Sequence, residues 1–289
     1  PELMEEYSTD QYTEWALQYI RDVAEQDKPW FLWLCYGAVH GPFTPADRHM
    51  DAYPDVPAPD IADIYPPRPG KPAYVQAQEN WMPGPDSEPV EVPRAFNYQK
   101  PGRPLKDWIR QYHQGVLAID EGIGRIILAL KESGQYENTV IVFTSDQGFA
   151  WGQHGFKTKV APYYANIASP LIFNMPDTRA SSVRGKMVDH PVSGVDLPVT
   201  FFSLAGLELP WRMDGHDLSP LLEDPEADWD HPAMMVSTSF IYGSDTDTIP
   251  EEGDSRLYWG PGVPWYVILA EGRYKYIRTL VEGETDELY

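Results

Sequence analysis

The feature that most limits what this chain can fold into is a long helix pattern that runs into an apolar strand. Trp108, Tyr112, Val116, Ile119, Ile123, Ile126, Ile127 and Leu130 recur at helical spacing, and Gly134 supplies a helix stop. Val140-Ile141-Val142-Phe143 follows as a short continuous apolar run, the pattern of a strand covered on both faces. The same alternation occurs earlier. Ser8-Thr9-Asp10-Gln11 reads as a capping box, with Ser8 as N-cap, ahead of Tyr12, Ala16, Leu17, Ile20 and Val23. Pro29 closes that helix, and Phe31 to Tyr36 reads as a buried strand. Leu171-Ile172-Phe173 is a third short strand, and Asp196 to Leu204 suits a helix ended by Gly206. After residue 230 the pattern changes to strands without helices: Met234 to Thr238, Trp265 to Leu269 and Tyr274 to Arg278. The expected fold is α/β, a mixed sheet flanked by helices and followed by a small C-terminal antiparallel subdomain. The domain boundary falls between residues 1–229 and an incomplete 230–289. Residues 41–105, rich in Pro, Asp and Gly, form a long loop region of the kind that is often functional.

Composition narrows the function. The 289 residues carry 22 Lys and Arg against 44 Asp and Glu, a formal charge of −22. So acidic a chain is a poor general nucleic-acid binder. No run of 18 apolar residues occurs, so no membrane-spanning helix is expected. The single cysteine excludes an internal disulfide framework and a cysteine-based zinc cluster. Cys35, inside an apolar run, is expected to be buried in the core. The chain opens Pro1-Glu2-Leu3-Met4 with no initiator methionine and no signal-peptide pattern, and is expected to be a fragment cut at both ends.

In open α/β sheets ligands gather at the carboxyl ends of strands. Two such ends carry polar groups: Ala38-Val39-His40-Gly41-Pro42 and Ser145-Asp146-Gln147-Gly148. Asp146 and Gln147 offer hard oxygen donors, suited to Ca²⁺ or Mg²⁺ rather than zinc. An Asx-type turn is the plainer reading of the same residues. Downstream, Gly152-Gln153-His154-Gly155-Phe156-Lys157-Thr158-Lys159 places a histidine between glycines, with two lysines behind it. A lysine there suits the oxygens of a sulfate or phosphate ester, and a histidine suits proton donation to a leaving oxygen. A solvated loop is again the plainer reading, and His40 alone is an ordinary loop histidine. His113, His190 and His231 read as structural or turn residues, and Asp120 as a solvated helix-surface group.

Taken in order, these segments resemble the sulfatase family of the alkaline-phosphatase-like superfamily. The resemblance rests on Ala38-Val39-His40-Gly41-Pro42, on Tyr112, Val116, Asp120, Ile123 and Gly124, and on Asn138 to Gly148. It continues through Gly152, Gln153, His154, Gly155 and Lys159, then Pro170-Leu171-Ile172, Asp196-Leu197-Pro198 and Lys275-Tyr276-Ile277. It implies a sulfuric ester hydrolase, with carbohydrate sulfates as a possible substrate class. It implies Asp146 and Gln147 as half of a calcium site, and His40 and Lys159 as the groups that hold the ester. His154 is implied to position the loop or touch substrate, with Lys157 a rival to Lys159. The family's paired aspartates and its Cys/Ser-x-Pro-Ser-Arg signature, which matures to formylglycine, have no counterpart here. The chain is therefore expected to lack the nucleophile and half the metal shell. Export to the periplasm or cell exterior is the family habit. A phosphodiesterase or phosphonate monoester hydrolase of the same superfamily, or a catalytically dead binding module, are the competing readings.

Overall fold

The computed structural model describes residues 6–26, 28–41, 44–93, 102–176, 183–238, 247–251, 254–258 and 262–289. Two compact units emerge, one built from residues 1–60 and 81–139, the other from residues 61–80 and 140–289.

The first unit is organised by two helices, α1 (Ser8–Ala24) and α3 (Leu105–Glu132). Between them in sequence lie the single turn α2 (Ala73–Gln76), which belongs to the second unit, and the hairpin β1 (Trp81–Pro83) with β2 (Pro89–Glu91). Helix α1 buries Ala16, Leu17, Ile20 and Val23, as its spacing predicts. Its cap differs from the expectation: Tyr7 is the N-cap and Ser8 is already helical, with no side-chain cap bond. The buried face of α3 is also rotated from the apolar stripe. Gly115, Ala118 and Gly122 are buried with Trp108 and Leu130, whereas Val116 is exposed. Small residues let α1 approach closely: a Cβ on Gly122 would stand 2.4 Å from Thr13 Oγ1 and 2.8 Å from the Tyr36 hydroxyl. Gly134 takes a left-handed φ of 71° and closes α3, with Gln135 N–H donating to Leu130 O at 2.9 Å.

Phe31 to Tyr36 does not form the buried strand its composition suggests. Leu32 to Tyr36 joins no sheet among the described residues, and exposure alternates along it, with Trp33 81% exposed. Cys35 is exposed rather than in the core. A period-2 pattern of exposure is the signature of an extended segment covered on one face.

The second unit contains β3 (Ile141–Thr144), β4 (Ala150–Trp151), β5 (Lys157–Thr158), the turn α4 (Tyr164–Ile167) and β6 (Leu171–Asn174). Helices α5 (Asp196–Leu204) and α6 (Ser219–Glu223) follow, then β7 (Ala233–Ser237), β8 (Tyr266–Glu271), β9 (Tyr274–Thr279) and β10 (Glu287–Leu288). β3 pairs antiparallel with β6, and both are only partly covered; Phe143 and Ile172 are exposed. β7 to β10 form the expected C-terminal antiparallel sheet in the order β10-β9-β8-β7. Its core face carries Tyr266, Ile268 and Ile277, packed with Val75, Ala150, Phe156, Ala161 and Val263. Trp265 sits in a satellite cluster with Leu257 and Val281.

Candidate functional site

β3 delivers its polar end as the sequence indicates. Asp146 is exposed and Gln147 half-buried, and the Gln147 amide donates to Asp146 Oδ2 at 3.3 Å. Gly148 is a close-approach position: an added Cβ would lie 2.5 Å from the Ala165 carbonyl oxygen. Two hard oxygen donors held side by side fit part of a calcium shell. Among the described residues no group of three or more His, Cys, Asp and Glu assembles a metal site. When bound, a divalent cation supplies positive charge against ester oxygens.

His154 and Lys159 sit on one hairpin. β4 and β5 pair Ala150 with Thr158 and Trp151 with Lys157. The tip is closed by Gly152 N–H to Phe156 O at 2.9 Å and Gly155 N–H to Gly152 O at 2.8 Å. Phe156 is fully buried between the rings of Tyr74 and Tyr163. His154 adopts φ 55° and Val160 φ 87°. A β-branched residue at positive φ is a strained outlier, and such strain concentrates at functional loops. Val160 is held there from the C-terminal sheet, where the buried Tyr266 hydroxyl donates to Val160 O at 2.6 Å. Lys159 is thus bracketed by two fixed left-handed residues. It is half-buried, and among the described residues no carboxylate pairs with it.

His154 has a partner that sequence reasoning missed. Its main-chain N–H donates to Asp63 Oδ1 at 3.0 Å, and its Nδ1 meets Asp63 Oδ2 at 2.5 Å. Its ring lies 4.3 Å from that of Tyr163. The Tyr163 hydroxyl donates to Glu287 Oε1 at 2.7 Å, and Lys71 pairs with Glu287 at 3.3 Å. Burial pushes the His154 imidazole below its ordinary range, more than Asp63 raises it. Burial raises the Asp63 carboxyl, but the His154 bonds and the nearby charges of His154 and Arg68 outweigh it and hold it low. The consistent state at neutral pH is a neutral imidazole donating Nδ1–H to a carboxylate. Burial also pushes the Tyr163 phenol up and lowers the Lys275 ammonium. No sequence signal marks Asp63; it lies in a Pro- and Asp-rich stretch without periodicity.

His40 lies in an exposed bend of the first unit, and Pro42 is outside the described residues. Asp146, Gln147, His154 and Lys159 all belong to the second unit. Lys157 is half-buried on β5. Cys35 is followed by Tyr36-Gly37-Ala38, so it does not fit a formylglycine precursor, and no step is assigned to one here. A further cluster was also not foreseen: His216 and His231 stack with centroids 3.9 Å apart, beside Trp229.

Comparison with known proteins follows the same residues. The family model described as sulfatase matches residues 1–207, a span that includes all five candidate positions. An N-acetylglucosamine-6-O-sulfatase of Bacteroides thetaiotaomicron is 27% identical over 271 residues, covering 77% of this chain and 48% of that protein. An arylsulfatase of Clostridium perfringens is 27% identical, covering 81% of this chain and 45% of the relative. The chain thus spans about half the length of these curated relatives. Among solved structures, a protein in complex with its substrate D-glucosamine-2-N,6-O-disulfate superposes with a TM-score of 0.74 at 22% identity, covering 100% of this chain and 64% of that one. A phosphonate monoester hydrolase from Silicibacter pomeroyi gives 0.71 at 25% identity, covering 98% of this chain and 53% of that one.

Proposed function

This chain belongs to the sulfatase family, and on that footing we propose that the protein hydrolyses sulfate esters, with sulfated carbohydrates as its substrate class. The observation that carries the reading is Lys159. In a chain with twice as many acidic as basic residues, a half-buried lysine on a pinned hairpin has no carboxylate partner among the described residues. An unclaimed cation of this kind suits an anionic ligand. Lys159 is assigned the ester oxygens, and Asp146 with Gln147 part of the calcium shell. His40 is kept as a further candidate on its own unit, an imidazole able to donate a hydrogen bond or proton to a leaving oxygen. His154 positions the loop. The negative surface does not forbid an anionic substrate, since repulsion between exposed charges is screened beyond about 8 Å at physiological ionic strength.

Carbohydrate sulfates are supported by relatives that carry glucosamine in their names, one as a 6-O-sulfatase and one as a bound disulfated substrate. Action outside the cytosol is supported by an extracellular sulfatase homologue of Drosophila melanogaster among the relatives, 29% identical over 229 residues. No described helix is long and apolar enough to cross a membrane. The phosphonate hydrolase neighbour keeps phosphonate esters as a second reading.

The test is a pair of variants in the intact protein that contains this chain. Lys159→Ala lowers kcat/KM for a sulfate ester by about 10²–10³-fold, the usual cost of removing one charge-stabilising donor. Asp146→Ala lowers bound calcium, measured by elemental analysis, together with activity. Unchanged kinetics in the first, or unchanged metal content in the second, sinks the corresponding assignment. Faster turnover of 4-nitrophenyl phenylphosphonate, a phosphonate monoester, than of 4-nitrophenyl sulfate moves the function to the second reading.

A further inference from the structure

The hairpin that carries Lys159 rests on residues 61–80, and it does so at three successive points. A Cβ on Gly152 would meet Ile64 Cδ1 at 2.6 Å. His154 is held by Asp63 through both its main-chain N–H and its ring. Gly155 stacks directly over Arg68, so that a Cβ there would lie 2.0 Å from Nη2. The Gly155 carbonyl also accepts from Asn80 Nδ2 at 2.9 Å.

Asp63 is itself fixed. Its carbonyl accepts from Arg68 Nε at 2.8 Å. Arg68 is 2% exposed, and three of its four remaining N–H donors go to the carbonyls of Ile64 at 2.7 Å, Gln78 at 2.9 Å and Val75 at 3.1 Å. A guanidinium buried among main-chain carbonyls carries a desolvation cost. What it does here is shape the segment that presents the Asp63 carboxylate. That carboxylate accepts two bonds from one residue, which an amide cannot reproduce for the Nδ1–H tautomer, since only one of its two terminal atoms accepts. The two bonds also offset the cost of the left-handed backbone at His154, a conformation that a Cβ disfavours.

We propose that Asp63 is a positioning residue: it fixes His154 in its left-handed conformation and thereby sets where the Lys159 ammonium stands. The inference rests on the reading of Lys159 as a ligand of the ester. Asp63 acts through His154 and the hairpin, and touches no substrate. The clamp also sets the imidazole tautomer, with Nδ1–H directed at the carboxylate and Nε2 bare. Tyr163, Glu287, Lys71 and Tyr289 form the polar surroundings on the other side: Tyr163 faces the His154 ring, and Lys71 lies 4.7 Å from the Tyr163 ring centroid and 4.4 Å from that of Tyr289.

The experiment uses the intact protein that contains this chain, with 4-nitrophenyl sulfate and three variants. Asp63→Asn lowers kcat by about 10²-fold, the scale expected when a reacting group is misplaced by roughly 1 Å. His154→Ala shows a similar loss. His154→Asn recovers most of that loss, because asparagine keeps an N–H for Asp63 and tolerates positive φ. A second readout needs no activity: nitrogen NMR of the His154 ring shows the Nδ1–H tautomer in the unsubstituted protein and its loss in Asp63→Asn. Unchanged kcat in Asp63→Asn, or His154→Asn as impaired as His154→Ala, overturns the positioning role. An Nε2–H tautomer in the unsubstituted protein overturns it as well. If the unsubstituted protein cleaves no sulfate ester, the functional reading falls instead, and the tautomer alone decides whether the clamp exists.

Discussion

At the scale of single residues, two glycines in α3 carry opposite consequences. The family-like pattern ends at Gly124, yet a Cβ there meets nothing within 4 Å, while Gly122 is crowded by Thr13 and Tyr36. Gly124→Ala is expected to raise stability by about 0.5–1 kcal/mol, the helix preference of alanine over glycine. Gly122→Ala is expected to lower it by about 1–3 kcal/mol through overpacking. Urea titration of the two variants checks both, and equal shifts would show that α1 does not pack on Gly122. The sequence singles out candidates where polar residues follow an apolar run, at His40 and Asp146, and where glycines frame a histidine, at His154. Asp63 was not legible because its role depends on a main-chain N–H ninety-one residues away, which leaves no local pattern. Val160 was hidden for a related reason. Its positive φ is imposed by Tyr266 from the far end of the chain, against the preference of its own side chain.

At the scale of elements, the periodicities located the helices and the C-terminal strands but misjudged their surroundings. The stripe of large side chains on α3 suggests the inner face, yet the buried residues include Gly115, Ala118 and Gly122, and Gly122 lies against Thr13 of α1. Hydrophobic spacing registers bulk, whereas close helix approach selects its absence. The continuously apolar runs of Phe31 to Tyr36 and of β3 predict cover on both faces. Burial on both faces is a property of neighbouring layers; the described residues cover one side of Phe31 to Tyr36 and leave the Phe143-Thr144 end of β3 exposed. The C-terminal sheet was easier to read, since turn residues punctuate short β-rich runs. Its stability depends on a few large side chains. Trp265 is 1% exposed between Leu257 and Val281, and Trp265→Ala is expected to cost about 3–5 kcal/mol. A loss below about 1 kcal/mol by urea titration would show that this cluster is peripheral.

At the scale of the whole molecule, acid acts through identifiable groups. His154 has a folded pKa below its unfolded value of about 6.5, so the unfolded chain takes up the proton first. Its contribution is complete above about pH 6.5 and is lost as pH falls toward the folded value. Asp63 and Asp217 are also held low. For both, burial raises the carboxyl but hydrogen bonds win, from His154 in one case and from Ser203 and Ser219 in the other. Their contribution is lost lower still, as pH falls from about 4 through their folded values. The melting temperature is therefore expected to decline from pH 7 to pH 5, and His154→Asn to flatten that decline. A slope unaffected by the substitution would place the titrating group elsewhere. The exposed thiol has a different use. With one cysteine in 289 residues, a maleimide dye or spin label attaches at a single address just upstream of His40, and no cysteine has to be engineered away first.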